Sequence, residues 1–350
     1  RLMSAIGIWP YLKDTAAPIF DIRISDGDSP LYLHFDHSDV SNEPLGFIVE
    51  NRNLRAALLK VIKKHKRIKF IAPEQIVKTR YSSFHTEAML QNNQKIKAKL
   101  IVAADGKNSL TRENAGISSI KLPYAQSAII CSVKHEFPHE FTAHEHFLPS
   151  GPFAILPLKT AQDKLGHVSS IVWTEKTKFA DFVMSLPDKE FQAELTLRFG
   201  DFLGGLSSFG PRFSYPLSLQ FAKTSIATRL ALIGDASHSI HPIAGQGLNM
   251  GMRDISALTE TLVDAQRIGL DIGNQNILTT YQRWRRFDNT LMAASTDSLN
   301  RLFSNNFLPI RLARGVGLAT VNKMPWLRKV FMRHAMGISG DVPKLMREHN

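Results

Sequence analysis

A single cysteine, Cys131, stands in the 350 residues, so the chain forms no internal disulfide and no cysteine-based metal site, which suits a reducing, cytoplasmic compartment. No apolar run approaches the ~20 residues that a membrane-spanning helix needs, and no secretory leader pattern is present. Gly-x-Ser-x-Gly is absent too, so Ser237 beside His238 is no nucleophile elbow. Internal repeats and low-complexity tracts are missing. So is an initiator methionine: the chain opens Arg1-Leu2-Met3-Ser4 and runs straight into a short helix ending near Gly7-Ile8-Trp9-Pro10. That opening reads as an entry into the middle of a longer protein.

What remains is an ordinary globular composition, 43% hydrophobic and 21% charged, in a chain too long for one typical core. The net charge of +12 is uneven. From Arg283 to Asn350 twelve Lys/Arg face four Asp/Glu, and Lys60 to Lys69 holds six cations with no acid. Solvated helix faces explain such runs, and so does a surface for anionic lipid or an acidic partner. No nucleic-acid module accompanies the charge, so nucleic acid is not an expected partner.

Hydrophobic periodicity predicts an amphipathic helix over Asn53 to Lys66 and short strands at Ile68 to Ile71, Gln75 to Tyr81 and His85 to Leu90. The apolar run closing Lys97 to Ala104 suits a buried strand. Further strands are expected at Ser127 to Val133, Phe153 to Leu158, Val168 to Thr174 and Arg229 to Ile233. Helices are expected at Asp188 to Phe199, Met250 to Arg267 and Ile277 to Phe303.

Two strand-to-loop junctions carry chemistry. In the first, a buried strand ends at Asp105-Gly106 and Arg112 follows at a helix start. This places amides and a carboxylate at the carboxyl edge of a sheet, where nucleotides bind, although Asp-Gly after a strand is commonly just a turn. In the second, a strand delivers Gly234-Asp235, whose carboxylate can accept from a polyol. Gly245, Gly247 and Gly251 then let backbone approach a flat ligand. The helix expected from Met250 would aim unpaired amides and its positive end at a ring that gains negative charge on reduction.

These residues resemble two flavin motifs of the group A aromatic hydroxylases, the relatives of p-hydroxybenzoate hydroxylase. Asp105-Gly106 with Arg112 is similar to the motif serving FAD and NAD(P)H together, and Gly234-Asp235 to the second flavin motif. The run His241-Pro242-Ile243-Ala244-Gly245-Gln246-Gly247-Leu248-Asn249-Met250-Gly251-Met252-Arg253-Asp254 is similar, position by position, to the signature of the ubiquinone-biosynthesis hydroxylases. Their 2-octaprenyl-6-methoxyphenol hydroxylase branch is the nearest. Echoes at Gly7-Ile8-Trp9, Pro18-Ile19, Leu45 to Asn51 and Phe153 to Leu158 spread the resemblance over essentially the whole chain. One departure stands out. The family opens with a strand, a Gly-x-Gly-x-x-Gly turn and a helix for the ADP part of FAD, a unit of roughly 50–60 residues with its extensions that this sequence does not contain. Without it the chain as written is expected to bind FAD poorly.

The resemblance implies an α/β fold: a Rossmann-like FAD/NAD(P)-binding domain without its N-terminal βαβ at 1–115 and 223–275, an interleaved β-rich substrate domain at 116–222, and a helical C-terminus at 276–350. It implies FAD as cofactor and NAD(P)H as electron donor. A flavin C4a-hydroperoxide formed from O2 would hydroxylate the ring of a polyprenylated phenol. Asp235 would take the ribityl hydroxyls. Pro242 and Ala244, Gly245, Gln246, Gly247, Leu248 and Asn249 would line the isoalloxazine, with the Leu248 and Asn249 amides near its pyrimidine edge. Asp105, Gly106 and Arg112 would face the pyrophosphate and nicotinamide, and Asn51 would add a polar contact. No acid or base is compelled, and no metal is expected, because His238-x-x-His241 and His144-Glu145-His146 lack the spacing of a helical zinc pair. Phe153, Ile155, Trp173 and Phe213 fit either a substrate pocket or the core. Trp326, Leu327, Phe331 and Met332 among cations fit either packing or a peripheral site on the inner membrane, and other ubiquinone-biosynthesis proteins are candidate partners. Reductases and a non-catalytic paralogue kept as a structural member of a biosynthetic complex share this scaffold. Halogenases do as well, but their Trp-x-Trp-x-Ile is absent.

Overall fold

The computed structural model describes residues 1–27, 32–160, 163, 165–304, 314, 317, 320–335 and 340–347. In chain order come α1 (Leu2–Ala5), β1 (Ala17–Ile19), β2 (Asp21–Asp26), β3 (Tyr32–Asp36), β4 (Gly46–Ile48) and α2 (Asn51–Lys64). They are followed by β5 (Ile76–Tyr81), β6 (Thr86–Leu90), β7 (Lys95–Ala98), β8 (Ile101–Ala103), α3 (Leu110–Asn114), β9 (Ser119–His135), β10 (Thr142–Leu148), β11 (Gly151–Pro157) and β12 (Val168–Lys176). The rest comprises α4 (Thr177–Ser185), α5 (Asp188–Phe199), β13 (Leu206–Phe209), β14 (Phe213–Ala222), β15 (Ile226–Ala227), β16 (Leu230–Leu232), β17 (His238–Ser239), α6 (Gln246–Arg267), α7 (Gln275–Phe303) and α8 (Pro325–Ala335).

A nine-stranded sheet, ordered β17-β14-β9-β12-β11-β10-β2-β3 with β13 beside β9, dominates the molecule. Period-2 alternation sends Ile129, Cys131 and Val133 of β9, Phe153 and Ile155 of β11, and Ile171 and Trp173 of β12 to one face, where α4 and α5 cover them with Phe191, Leu195 and Phe199. Phe153, Ile155 and Trp173 are therefore core residues, while Phe213 is 53% exposed. Cys131 is buried in the same core, and desolvation pushes its thiol up to about 12. The opposite face meets Ile243 of the second junction and Phe303 of α7 through Phe147, Leu33 and Phe35. Strands β2 and β3 belong to this sheet: β2 pairs in parallel with β10, so the large sheet also draws on chain that precedes residue 116.

A small sheet, β15-β16-β8, carries both junctions. Leu230, Ala231 and Leu232 are buried completely, as expected of a parallel strand covered on both faces. Among the described residues β8 pairs only with β16, and Val102 in its middle is 42% exposed.

Three local expectations need correcting. Residues 68–71 form no strand; they have no partner strand among the described residues, and Ile68 and Phe70 are 50% and 59% exposed. Lys97 to Ala104 divides into the end of β7 and β8, which lie in different sheets. Helix α6 begins at Gln246 rather than Met250, because Gly245 takes the left-handed conformation at its N-cap, φ +62°.

Candidate functional site

The parallel register of β8 and β16, Leu230 opposite Ile101 and Leu232 opposite Ala103, ends both strands at the same sheet edge. Asp105-Gly106 and Gly234-Asp235 are thereby neighbours. The Ile233 amide donates to the Ala103 carbonyl at 3.0 Å. Arg112 joins the two loops directly: its guanidinium donates to the carbonyls of Lys107 at 3.1 Å and Ala236 at 3.0 Å. It is 1% exposed, so it sets the shape of both loops from beneath. Gln220 of β14 adds a 2.7 Å bond to the Lys107 carbonyl, tying the large sheet to the same loop.

Asp105 caps the turn that follows it, accepting from the Ser109 hydroxyl at 2.5 Å and the Thr111 amide at 3.0 Å. Burial would raise its carboxyl, but these donors outweigh burial and hold it below the usual carboxylate range. Gly106 takes φ +80°, a conformation that favours glycine.

Across from it, Asp235 is exposed, and no hydrogen-bond partner is recorded for its carboxylate among the described residues. Gly234 sits at φ +55° and packs against α6: a Cβ on Gly251 would lie 3.4 Å from the Gly234 Cα. Beyond Gly245 and Gly247 the space is open, with nothing within 4 Å of a Cβ built on either. Leu248 and Asn249 are exposed and Pro242 and Gln246 half-buried; the side chain of Ala244 lies outside the described residues. Because α6 starts at Gln246, the amides of Gly247 and Leu248 lie in its first turn, ahead of the helical ladder, while that of Asn249 falls within it. Asn51 lies apart from these loops in sequence, exposed at the first turn of α2.

A buried network that sequence reasoning missed holds the second junction in place. Asp254, fully buried in α6, accepts from the Gly234 amide at 3.0 Å and His238 Nε2 at 2.6 Å through one oxygen. Its other oxygen accepts from Arg285 Nε at 2.9 Å and Asn289 Nδ2 at 3.2 Å. Burial opposes its charge, but His238 and Arg285 outweigh burial and keep its carboxyl below the ordinary value. The sequence signal was present: an acid eight residues into a helix, on the face of Met250 and Ala257, belongs to the core and needs donors.

Two further groups border the site. Glu145 of β10 shares a sheet face with Phe147 and hence with Ile243 of the loop. Burial pushes its carboxyl up to about 7. His241 is 0% exposed, and desolvation pushes it down to about 4. Among the described residues no group of three or more His, Cys, Asp or Glu is placed to hold a metal ion, and no helix is long and apolar enough to cross a membrane. A cleft of about 590 Å³ lined by Arg229 and Asp271 lies at the opposite end of β16 from Asp235.

The exposed Gly245, the half-buried Gly106, Gly234 and Gly247, the exposed Asp235 carboxylate and the first turn of α6 fit a flat, polar, hydroxylated ligand such as a flavin. Residues 51–293 match the FAD binding domain family. The chain is 47% identical over 350 residues to ubiquinone hydroxylase UbiL of Rhodospirillum rubrum, covering 99% of this chain and 80% of the relative. It is 32% identical over 338 residues to 3-demethoxyubiquinol 3-hydroxylase of Escherichia coli, covering 96% and 84%. Among solved structures, p-nitrophenol 4-monooxygenase PnpA from Pseudomonas putida superposes with a TM-score of 0.78 at 15% identity, covering 97% of this chain and 87% of that one. That last likeness concerns the fold alone.

Proposed function

The chain belongs to the FAD-dependent hydroxylases of ubiquinone biosynthesis, and from that premise we propose that it inserts one oxygen atom of O2 into the aromatic ring of a polyprenylated phenol. The observation that supports this reading is the parallel pairing of β8 with β16, which ends Asp105-Gly106 and Gly234-Asp235 at one sheet edge, with Gly251 of α6 packed on Gly234. In this reading residues 1–20, 37–115 and 223–275 serve the cofactor, 116–222 with β2 and β3 form the substrate lobe, and α7 and α8 flank them.

FAD, when bound, would supply the redox chemistry: two electrons from NAD(P)H and one O2 give one hydroxyl on the ring, and the second oxygen atom leaves as water. Asp235 accepts hydrogen bonds from the ribityl chain. The loop from Pro242 through Ala244 and Gly245 gives backbone contact to the isoalloxazine. The amides of Gly247 and Leu248 and the positive end of α6 would favour negative charge on a ring held there, with Gln246 and Asn249 lining the same turn. Asp105 and Gly106 shape the pyrophosphate side, Arg112 fixes the two loops to one another, and Asn51 contributes a polar contact. The apolar sheet face around Phe147 and Ile243 excludes water.

A polyprenyl tail resides in lipid. We assign membrane contact to the exposed run from Lys63 to Phe70, where Ile68 and Phe70 lie among five Lys/Arg, and to α8, where Trp326 is 61% exposed. Met332 is 3% exposed and faces the core, and the Phe331 side chain lies outside the described residues.

The test is single-turnover oxidation with FAD, NADPH, 18O2 and a short-chain prenylated phenol. A product heavier by one 18O atom supports the reading; NADPH oxidation yielding only hydrogen peroxide at every phenol tried overturns it.

A further inference from the structure

Four buried polar atoms without a hydrogen-bond partner converge at one spot beside the second junction. Both ring nitrogens of His241, the hydroxyl of Tyr124 and Oδ1 of Asp297 are shielded from solvent and unpaired. Buried polar atoms are hydrogen-bonded in all but a small minority of cases, so a concentration of atoms without a protein partner offers polar contacts to a bound group. The three side chains come from separate elements. Tyr124 is on β9, His241 on the loop before Pro242, and Asp297 on α7.

Tyr124 and Asp297 are close enough to interact, and that interaction helps to raise the phenol, yet no full hydrogen bond closes between them. The His241 ring meets the Tyr124 ring edge-on, with centroids 5.1 Å apart and planes at 75°. Asp297 uses Oδ2 to accept from Arg301 Nε at 2.8 Å, leaving Oδ1 unpaired. The backbone is bent to present Tyr124: Ala125 adopts φ +54°, and the β9–β14 register slips between Pro216 and Ser218. A positive φ at a non-glycine residue is costly and concentrates where geometry serves a site.

The protonation states restrict the chemistry of a ligand that fits here. Burial, reinforced by the Asp297 charge, pushes the Tyr124 phenol well above its ordinary value, and His241 is held down at about 4. At neutral pH the cluster offers one hydroxyl donor, one neutral imidazole and one carboxylate oxygen. An anion would face the Asp297 carboxylate. An uncharged group that both donates and accepts matches all three, and a phenolic hydroxyl is the strongest donor of that kind.

We propose that Tyr124, His241 and Asp297 form the hydroxyl-binding end of the substrate site, where the phenolic O–H donates to His241 or Asp297 Oδ1 and its oxygen accepts from Tyr124. This rests on the functional reading above and extends it by assigning the residues that orient the ring. The hydroxyl is fixed next to Pro242, so the ring is aligned against the loop that carries the flavin contacts.

Titrating the protein with a farnesylated phenol and with its methyl ether, each followed by calorimetry, tests the assignment. The wild type is expected to prefer the phenol by about tenfold or more, the weight of one hydrogen bond lost from a buried site. Tyr124→Phe keeps the ring packed but removes the donor that the oxygens of both ligands share, and is expected to weaken phenol and ether alike by about tenfold while the preference for the phenol remains. Asp297→Asn and Tyr124→Phe are both checked for unaltered thermal unfolding. The 15N resonances of the His241 ring are expected to shift on adding the phenol and not the ether. If the wild type discriminates but Tyr124→Phe binds both ligands as tightly as the wild type and the His241 resonances stay fixed, this site assignment is overturned and the functional reading survives. If the wild type binds both ligands equally, the assignment is likewise overturned. If it binds neither, the functional reading falls first and this proposal with it.

Discussion

His238 donates from Nε2 to Asp254 at 2.6 Å, with the imidazole 2% and the carboxylate 0% exposed. This bond fastens the loop after β16 to the third turn of the helix that begins at the loop's own far end. Asp254 also takes the Gly234 amide and Arg285, so one buried carboxylate fixes the start of the loop against α6 and α7. We predict that Asp254→Asn destabilises the fold by about 3–5 kcal/mol, the usual consequence of stranding one member of a buried ion pair. Thermal and urea unfolding check this. Because the folded carboxyl lies below its ordinary value, the contribution is complete above about pH 3.9 and is lost as pH falls further.

Burial holds His144 at about 3 and His241 at about 4, so both are neutral in the fold while the unfolded chain takes up protons near pH 6.5. Between those limits the unfolded state binds more protons, and stability therefore rises with pH. Each histidine adds a slope of at most about 1.4 kcal/mol per pH unit. We expect His144→Phe, which keeps the contact with Phe202 at 4.5 Å, to flatten the dependence of unfolding free energy between pH 6.5 and 4.

Glu145 acts in the opposite sense. Its carboxyl is pushed up to about 7 by burial, so stability is lost as pH rises from the ordinary glutamate value of about 4.3 through the folded one. Glu145→Gln is expected to stabilise the protein at pH 8 and to leave it unchanged at pH 4. A melting temperature at pH 8 no higher than that of the wild type would count against this reading.

At Gly234 the left-handed backbone and the contact with Gly251 act together. Gly234→Ala is expected to cost about 1–2 kcal/mol from conformation alone. Gly251→Ala adds a methyl 3.4 Å from the Gly234 Cα and is expected to shift the loop by a few tenths of an ångström, weakening flavin binding more than it lowers the melting temperature.

The junctions were legible because β8 and the fully buried β16 both read as short apolar runs, and both runs end abruptly in an Asp beside a Gly. Helix α5 matched its expected bounds, Asp188 to Phe199, because Pro187 and Gly200 punctuate it at either end. The start of α6 was misplaced because Gly245-Gln246-Gly247 reads as loop, and only the left-handed Gly245 shows that the helix has already begun. Strand β10 was missed because His144, Glu145 and His146 are polar and their burial depends on partners distant in sequence. Tyr124 was invisible for the same reason: nothing near it in the chain announces His241 or Asp297 as neighbours.

Asp235 tests the central claim most directly, since it is exposed at the sheet edge and contributes no recorded hydrogen bond to the fold. Titrating FAD into the wild type and into Asp235→Ala, followed by quenching of flavin fluorescence, is predicted to show at least about tenfold weaker binding in the variant at an unchanged melting temperature. Equal affinity in the two proteins would contradict the assignment of the loop after β16 as the flavin cradle.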